Sequence, residues 1–253
     1  MIELYVTAAS RIGCVRSNNE DMILVGTSFV RNDDHKTRIA LDDTKRTLIA
    51  VADGMGGHRS GDVASSDTLH NLQFFFSDIP SGLSACRLNE MIVEWLGSIN
   101  AIIDSKGRVD EKYKGMGTTL VALAYYEGHF YSMNCGDSRL YRFCDGQLTQ
   151  LTTDHTFKDV LDTGKRTSVI TNCIGGGTRN SYVDMVQMTK DVQPGNIYLL
   201  CSDGLTDMLS DQEIETMLKA GADADMLCQA AIQAGGFDNV SVCTIEVKSK
   251  ITT

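Results

Sequence analysis

The chain has 253 residues, of which 42% are hydrophobic and 22% charged, and its formal net charge is −10. This length allows one large core, whereas the acidic balance, without a cluster of five or more lysines and arginines, argues against a nucleic-acid partner. The N-terminus lacks a signal-peptide pattern, and no segment approaches the roughly 18–20 apolar residues that cross a bilayer. We therefore expect a cytoplasmic protein without a membrane segment.

The eight cysteines contain no C-x-x-C pair, and Cys135, Cys201 and Cys243 lie within apolar runs. This pattern predicts reduced thiols packed as small apolar side chains, as in a cytosolic protein. Cys14, beside a polar turn, is the cysteine that we expect to be reactive.

Periodicity and turn residues predict a mixture of strands and helices. Apolar residues recur at steps of three and four over 88–103, which indicates one buried helical face. Glu127-Gly128 and Asp145-Gly146 are typical of hairpin turns, and Ser210 with Glu213 fits a capping box. The predicted elements, in chain order, are strands over 2–8, 22–30 and 47–52, helices over 61–76 and 88–103, strands over 118–126, 129–135, 139–143, 147–151, 182–188 and 197–202, helices from 210 and over 223–234, and a strand over 239–247.

Two segments show no clear periodicity. Residues 31–46 are charged and contain the pairs Asp33/Asp34 and Asp42/Asp43, which could hold a metal, but a solvated loop is the favoured interpretation. Residues 152–177 are irregular and end in three glycines. Because strands run together and helices are grouped in pairs, the fold class is predicted to be α+β. We expect two antiparallel sheets packed as a sandwich with helix pairs on both faces (α-β-β-α), within one domain over 1–253.

Four aspartates share one setting, at or near the end of an apolar strand and beside a glycine or turn. They are Asp53, Asp137, Asp203 and Asp238, and the strand before Asp53 leads into a glycine-rich turn that begins at Gly54. Each aspartate alone could simply cap a turn. Strand ends meet along one rim of a sandwich, however, and four converging carboxylates would repel one another and raise their pKa values.

A divalent cation is the natural compensation for such a group of carboxylates. Ligation by oxygen alone favours magnesium or manganese over zinc. Two such ions about 3.5–4 Å apart can activate a water and hold a phosphoryl oxygen. Arg16 would add a planar fork suited to a phosphate dianion. The spacings of a dinucleotide fingerprint, a P-loop, a zincin helix and a nucleophile elbow are not met.

Several short motifs, taken in order, resemble those of a known family, the metal-dependent protein serine/threonine phosphatases of type 2C, bacterial type. This resemblance implies hydrolysis of phosphoserine or phosphothreonine by a metal-activated water, without a covalent phosphoenzyme. It also implies a phosphorylated protein as substrate and a serine/threonine kinase whose action the chain opposes. The motifs are RSNNED (16–21), ADGMGGHRSGDVAS (52–65), GTT (117–119), CGDSR (135–139), LTTDH (151–155), SDG (202–204) and DN (238–239).

The resemblance also implies the ligands of a centre with two Mg²⁺ or Mn²⁺ ions. Asp53 would bridge the two ions, with Asp203 and Asp238 on the first. The carbonyl of Gly54 would serve the second ion, and Glu20 would act on it through water.

Further roles follow from the same resemblance. Arg16 would bind the substrate phosphate. Asp137, together with Asp203, would hold a third, weaker ion. Asp21 would contact the ligands rather than the ions.

Two features depart from the family's pattern. Animal members have a histidine directly after the Asp-Gly, proposed to protonate the leaving alkoxide, but this chain has Met55 there, as many bacterial members do. The general acid is therefore open between His58, a metal-bound water and none, and His58 could equally be a turn residue. The segment 156–169 is brief, so we expect a shortened flap over about 152–177.

Two other functions stay in competition with an active, monomeric protein phosphatase. One is a phosphoprotein-binding scaffold that kept the fold without the chemistry. The other is a metal-dependent phosphohydrolase of small molecules or nucleotides, which a trimmed flap would allow.

Overall fold

Two six-stranded antiparallel sheets form the centre of the protein, as described by a computed structural model over residues 2–56, 60–157, 169–178 and 180–249. The strands are β1 (Ile2–Arg11), β2 (Met22–Val25), β3 (Ser28–Val30), β4 (Asp34–Leu41), β5 (Arg46–Ala52), β6 (Gly54–Met55), β7 (Gly117–Thr118), β8 (Leu120–Tyr126), β9 (His129–Cys135), β10 (Arg139–Cys144), β11 (Gln147–Gln150), β12 (Ile174–Gly175), β13 (Asp184–Gln187), β14 (Ile197–Cys201) and β15 (Val240–Ser249). The helices are α1 (Gly61–Asp78), α2 (Ala85–Val109), α3 (Asp203–Thr206), α4 (Asp211–Lys219) and α5 (Ala224–Gln233), with a 3-10 turn at Glu111–Tyr113.

The strand order defines three sheets. Sheet one has the order β11-β10-β14-β15-β1-β4, and sheet two has the order β13-β9-β8-β5-β2-β3. A small third sheet, β12-β7-β6, lies beside them. Among the described residues, no helix has both the length and the apolar character needed to cross a membrane.

Three apolar layers hold these elements together. Leu72 of α1 and Trp95 of α2 pack in the layer against sheet two. Val6 and Val51 lie in the layer between the two sheets. Leu227 of α5 belongs to the layer that joins sheet one to α4 and α5. The predicted α-β-β-α sandwich is thus confirmed, because each sheet buries alternate side chains on opposite faces.

The turn and cap predictions are confirmed in detail. Glu127, Gly128, Asp145 and Gly146 all have positive φ angles, as tight two-residue hairpin turns require. The Ser210 hydroxyl accepts a hydrogen bond from the Glu213 N–H, and the Glu213 carboxylate accepts one from the Ser210 N–H, which completes the capping box of α4.

Two predictions in the N-terminal part are wrong. Residues 31–46 are not simply a solvated loop, since β4 pairs along β1 from Asp34 opposite Ala9 to Leu41 opposite Ile2. Its charged side chains mark an edge strand, where one side of the backbone faces solvent. Residues 22–30 are not one strand either, because the chain turns after Val25 and β3 pairs back onto β2.

Candidate metal centre

The register of sheet one brings three of the predicted aspartates to the same rim. Arg11, the last residue of β1, lies opposite Val240, the first residue of β15, so the segment before β15 reaches the rim where β1 ends. Cys201, the last residue of β14, lies opposite both Val242 and Arg139. Asp238, Asp203 and Asp137 therefore extend from neighbouring strand ends.

Sheet two presents its own acids at this rim. Met22 at the start of β2 lies opposite Ala52 at the end of β5, which places Asp21 next to Asp53 across the ladder. Within the described residues, the chain crosses between the sheets at this rim three times, over residues 12–21, 31–33 and 136–138. Acids from distant parts of the chain are thereby gathered at one end of the sandwich.

The backbone of Asp53 is fixed by Thr118 and Thr119, at the junction of β7 and β8. Its carbonyl accepts hydrogen bonds from the Thr118 hydroxyl and the Thr119 N–H, both at 2.9 Å. Its own N–H donates to Thr119 Oγ1 at 3.0 Å. The Asp53 carboxyl group hydrogen-bonds that of Asp203, and burial, then the charges of Asp21 and Asp203, raise the pKa of Asp53 well above its ordinary value.

Asp203 and Asp137 each carry a carboxylate oxygen that lacks a protein partner. In both residues Oδ1 is buried and has no hydrogen bond within the described ranges. Burial is the main reason that the pKa of Asp203 rises to about 6 and that of Asp137 to about 7, and the Asp203 charge adds to the Asp137 shift. An uncompensated buried carboxylate is costly, so these atoms need a proton or a cation.

Asp21 is fully buried and links the two sheets through a hydrogen bond to Ser202. Its Oδ2 accepts a hydrogen bond from the Ser202 hydroxyl at 2.8 Å, while Oδ1 is buried without a partner among the described residues. Burial raises the pKa of Asp21 to about 7.

Glu20 and Gly54 meet the first turn of α1 at close range. The Glu20 carboxylate accepts a hydrogen bond from the Gly61 N–H, and its pKa is raised mainly by burial. A Cβ added to Gly61 would lie 2.7 Å from the Gly54 carbonyl carbon and 2.8 Å from Glu20 Cδ. Glycine is required at Gly61 because any side chain would push the helix away from both predicted ligands.

Arg16 lies on the solvent side of the same group. Its Nη2 donates to Asp238 Oδ2 at 2.6 Å, and the Arg16 side chain is 52% exposed. A guanidinium has five N–H donors, so this ion pair leaves donors available for a second anion.

Asn239 is a structural component of the rim to which the sequence assigned no role. Its Oδ1 accepts from the Glu20 N–H at 2.8 Å, and its Nδ2 donates to the carbonyls of Ile12 and Asn18 at 2.9 Å each. These bonds hold the segment that contains Arg16. The only sequence signal was its place directly after Asp238, which does not reveal partners more than 200 residues away.

Part of the predicted site is not described by the structure, and the described acids do not form a complete set of metal ligands. His58 and residues 158–168 of the predicted flap lie outside the described residues. The described ranges contain no group of three or more His, Cys, Asp or Glu side chains spaced as a complete metal cage. The acids instead pair individually, Asp53 with Asp203 and Asp238 with Arg16. Their roles as ligands therefore stay predictions.

Comparison with known proteins identifies the family. The sequence profile described as Protein phosphatase 2C matches residues 27–232, more than half of the chain. The chain belongs to the protein phosphatase 2C family. The Serine/threonine protein phosphatase PstP of Mycobacterium tuberculosis is 33% identical over 96% of this chain, which spans only 45% of the length of PstP. The Serine/threonine phosphatase stp of Listeria monocytogenes is 30% identical over 92% of both chains.

Solved structures agree with this place in the protein phosphatase 2C family. A serine/threonine phosphatase of S. agalactiae superposes with a TM-score of 0.80 at 27% identity, covering 96% of this chain and 99% of that chain. The catalytic domain of PstP, in complex with two manganese ions, superposes with a TM-score of 0.75 at 32% identity, covering 98% and 100%.

The donor set of this family member fits hard divalent cations. The predicted ligands are carboxylate and carbonyl oxygens, which magnesium and manganese prefer. The buried Oδ1 atoms of Asp137 and Asp203 also fit a cation, because both lack a hydrogen-bond partner among the described residues. A bound cation would interact with both atoms and lower the raised pKa values of the two carboxyl groups.

Proposed function

We propose that this chain is a metal-dependent protein serine/threonine phosphatase acting on phosphorylated proteins at a centre of two Mg²⁺ or Mn²⁺ ions. One observation carries the proposal: strand ends from both sheets bring mutually repelling aspartates to one rim, with Arg16 beside them. Such an arrangement costs stability unless a cation is bound, which argues against a scaffold without chemistry.

The roles proposed for individual residues follow the family resemblance. Bound cations would supply Lewis acidity and a water of lowered pKa. Arg16 would orient the substrate phosphate, and Asp21 would hold the ligands in place. His58 stays a candidate general acid beside the alternatives of a bound water or none. The proposed metal ligands are Glu20, Asp53, the Gly54 carbonyl, Asp203 and Asp238, with Asp137 for a third, weaker ion.

We propose a monomer that acts in the cytoplasm against a serine/threonine kinase. The cellular location is supported by eight free cysteines, of which Cys135, Cys201 and Cys243 are among those buried. A single domain over 1–253 with a shortened flap over about 152–177 is part of the same proposal. Thr156 and Ile170 form a bridge at the base of that segment.

The test is Asp53→Asn, assayed by manganese-dependent hydrolysis of para-nitrophenyl phosphate and of a phosphothreonine peptide. We expect a loss of about 100-fold or more, because even residues that only support metal ligands cost about 10–100-fold when changed. Asp145→Asn is the matched control, since it makes the same change in an exposed hairpin turn at the far end of β10. Asparagine also tolerates the positive φ at that position.

Two outcomes would contradict the proposal. Unchanged turnover in Asp53→Asn would remove the metal assignment. Faster phosphate release from nucleotides than from the peptide would instead favour a small-molecule phosphohydrolase.

A further inference from the structure

Two large apolar side chains lie exposed beside the Arg16–Asp238 ion pair. Val15 is 64% exposed and Phe237 is 63% exposed. Each directly precedes one member of the pair, whose nitrogen and oxygen atoms are 2.6 Å apart. A single exposed apolar residue needs no explanation, but two flanking a candidate phosphate-binding group are informative.

The loops that carry these side chains are fixed to each other. The Cys14 N–H donates to the Gly236 carbonyl at 2.7 Å, and Asn239 Nδ2 donates to the Ile12 carbonyl at 2.9 Å. Gly13 has a positive φ of 78°, and a Cβ there would lie 2.7 Å from the Gly236 carbonyl oxygen. The two loops therefore form one ridge, which we call the Val15–Phe237 ridge.

The ring of Phe237 has a defined place on this ridge. A Cβ built on Gly235 would lie 3.2 Å from Phe237 Cε2 and 3.4 Å from Met208 Sδ. The ring thus lies over the glycine and next to the methionine, while most of its surface faces solvent. A supported but exposed aromatic ring is typical of an anchor for a binding partner.

Building on the proposed function, we infer that Val15 and Phe237 contact an apolar side chain next to the phosphorylated residue of a protein substrate. Consecutive Cα atoms are about 3.8 Å apart. Because Val15 directly precedes Arg16 and Phe237 directly precedes Asp238, a peptide whose phosphate lies on Arg16 has its neighbouring residues within reach of the ridge. A nucleotide or another small phosphate ester offers no such neighbour, so the ridge favours polypeptide substrates with apolar flanks.

The test compares two phosphothreonine peptides of equal net charge, one with leucine on both sides of the phosphothreonine and one with asparagine. Equal charge matters because the acidic rim attracts any basic peptide. We expect kcat/KM to be about tenfold higher for the leucine peptide, the low end of discrimination by apolar contacts. Phe237→Ala and Val15→Ala should each reduce this ratio, and the double variant should bring it close to one.

Phe74→Ala is the matched control, because Phe74 is 69% exposed but lies near the far end of α1 from the rim. It should keep the wild-type ratio. Thermal unfolding of all variants separates a change of specificity from a change of fold.

Three results would overturn the inference while leaving the proposed function intact. They are equal hydrolysis of both peptides by the wild type, an unchanged preference in the double variant, and a concentration-dependent dimer that Phe237→Ala dissociates. The last result would assign the ridge to a contact between copies of this chain. Failure to hydrolyse either peptide or para-nitrophenyl phosphate would instead refute the proposed function, and the inference with it.

Discussion

Gly61 and Gly97 are both helical glycines, but their surroundings differ at the position where a side chain would begin. A Cβ on Gly61 would lie 2.7–2.8 Å from the carbonyl group of Gly54 and from Glu20 Cδ. A Cβ on Gly97 in α2 would have no heavy atom of the described residues within 4 Å, apart from its own helix backbone and chain neighbours. The same substitution to alanine should therefore have opposite effects at the two sites.

The expected magnitudes decide the sign at each position. In an open helix interior, alanine is more favourable than glycine by about 0.8–1.0 kcal/mol, so Gly97→Ala should raise the free energy of unfolding by about that amount. At Gly61 the added atom would lie 2.7 Å from the Gly54 carbonyl carbon, about 0.7 Å closer than the 3.4 Å of ordinary contact, so the backbone must move. Overpacking of this kind costs about 1–3 kcal/mol, which exceeds the gain, and Gly61→Ala should be less stable than wild type.

Urea unfolding followed by Trp95 fluorescence measures both changes, since this is the one tryptophan and it is buried in α2. Gly61→Ala should also need more manganese for half-maximal activity, because α1 would displace Glu20 and the Gly54 carbonyl. Gly97→Ala should leave that requirement unchanged. If Gly61→Ala were as stable as Gly97→Ala and equally responsive to manganese, the close approach would not be what requires glycine.

Two further predictions concern the rim. Asn239→Ala removes three hydrogen bonds to the backbone of residues 12–20. At about 1 kcal/mol per bond, it should lower the free energy of unfolding by about 3 kcal/mol. Urea unfolding measures this change, and a loss below about 0.5 kcal/mol would contradict the prediction. Without metal, Asp203 and Asp137 have folded-state pKa values of about 6 and about 7, above the ordinary 3.8, so the folded chain binds more protons than the unfolded chain. These two groups should therefore lower the free energy of unfolding as pH rises from about 4 to 7. Unfolding in EDTA at pH 5 and 7.5 tests this: Asp137→Asn should show a smaller fall than wild type, and an identical fall would refute it.

The elements that the sequence predicted well are those whose signals are local. The helix face over 88–103 is visible because its burial repeats at helical spacing, and the hairpin at Glu127-Gly128 because both residues need positive φ. The edge strand β4 alternates exposed charged residues with half-buried ones, and its sequence therefore resembles that of a solvated loop. The strands β6, β7 and β12 have two residues each, too few to create a pattern.

The candidate site was predictable as a set of acids but not as an arrangement. Each aspartate adjoins an apolar strand, and this local setting is readable from the chain. The pairs Arg16–Asp238 and Asp53–Asp203 depend on which strands are neighbours, and β1 pairs with β15 from the other end of the chain. No local spacing contains that information, which is also why the role of Asn239 was missed.

The rim joins the two sheets through the same residues that surround the proposed cations. The hydroxyl of Ser202, directly after β14 of sheet one, donates to the carboxylate of Asp21, directly before β2 of sheet two. The side-chain oxygen of Asn239, directly before β15, accepts from the Glu20 N–H. Because the buried acids beside these bonds repel one another until a cation or proton intervenes, metal binding and the packing of the sheets share one set of atoms. Asn239 carries no charge and is not a proposed ligand, but its hydrogen bonds fix the segment that contains Arg16 and Glu20. Its position therefore matters to the proposed metal centre as much as the positions of the ligands.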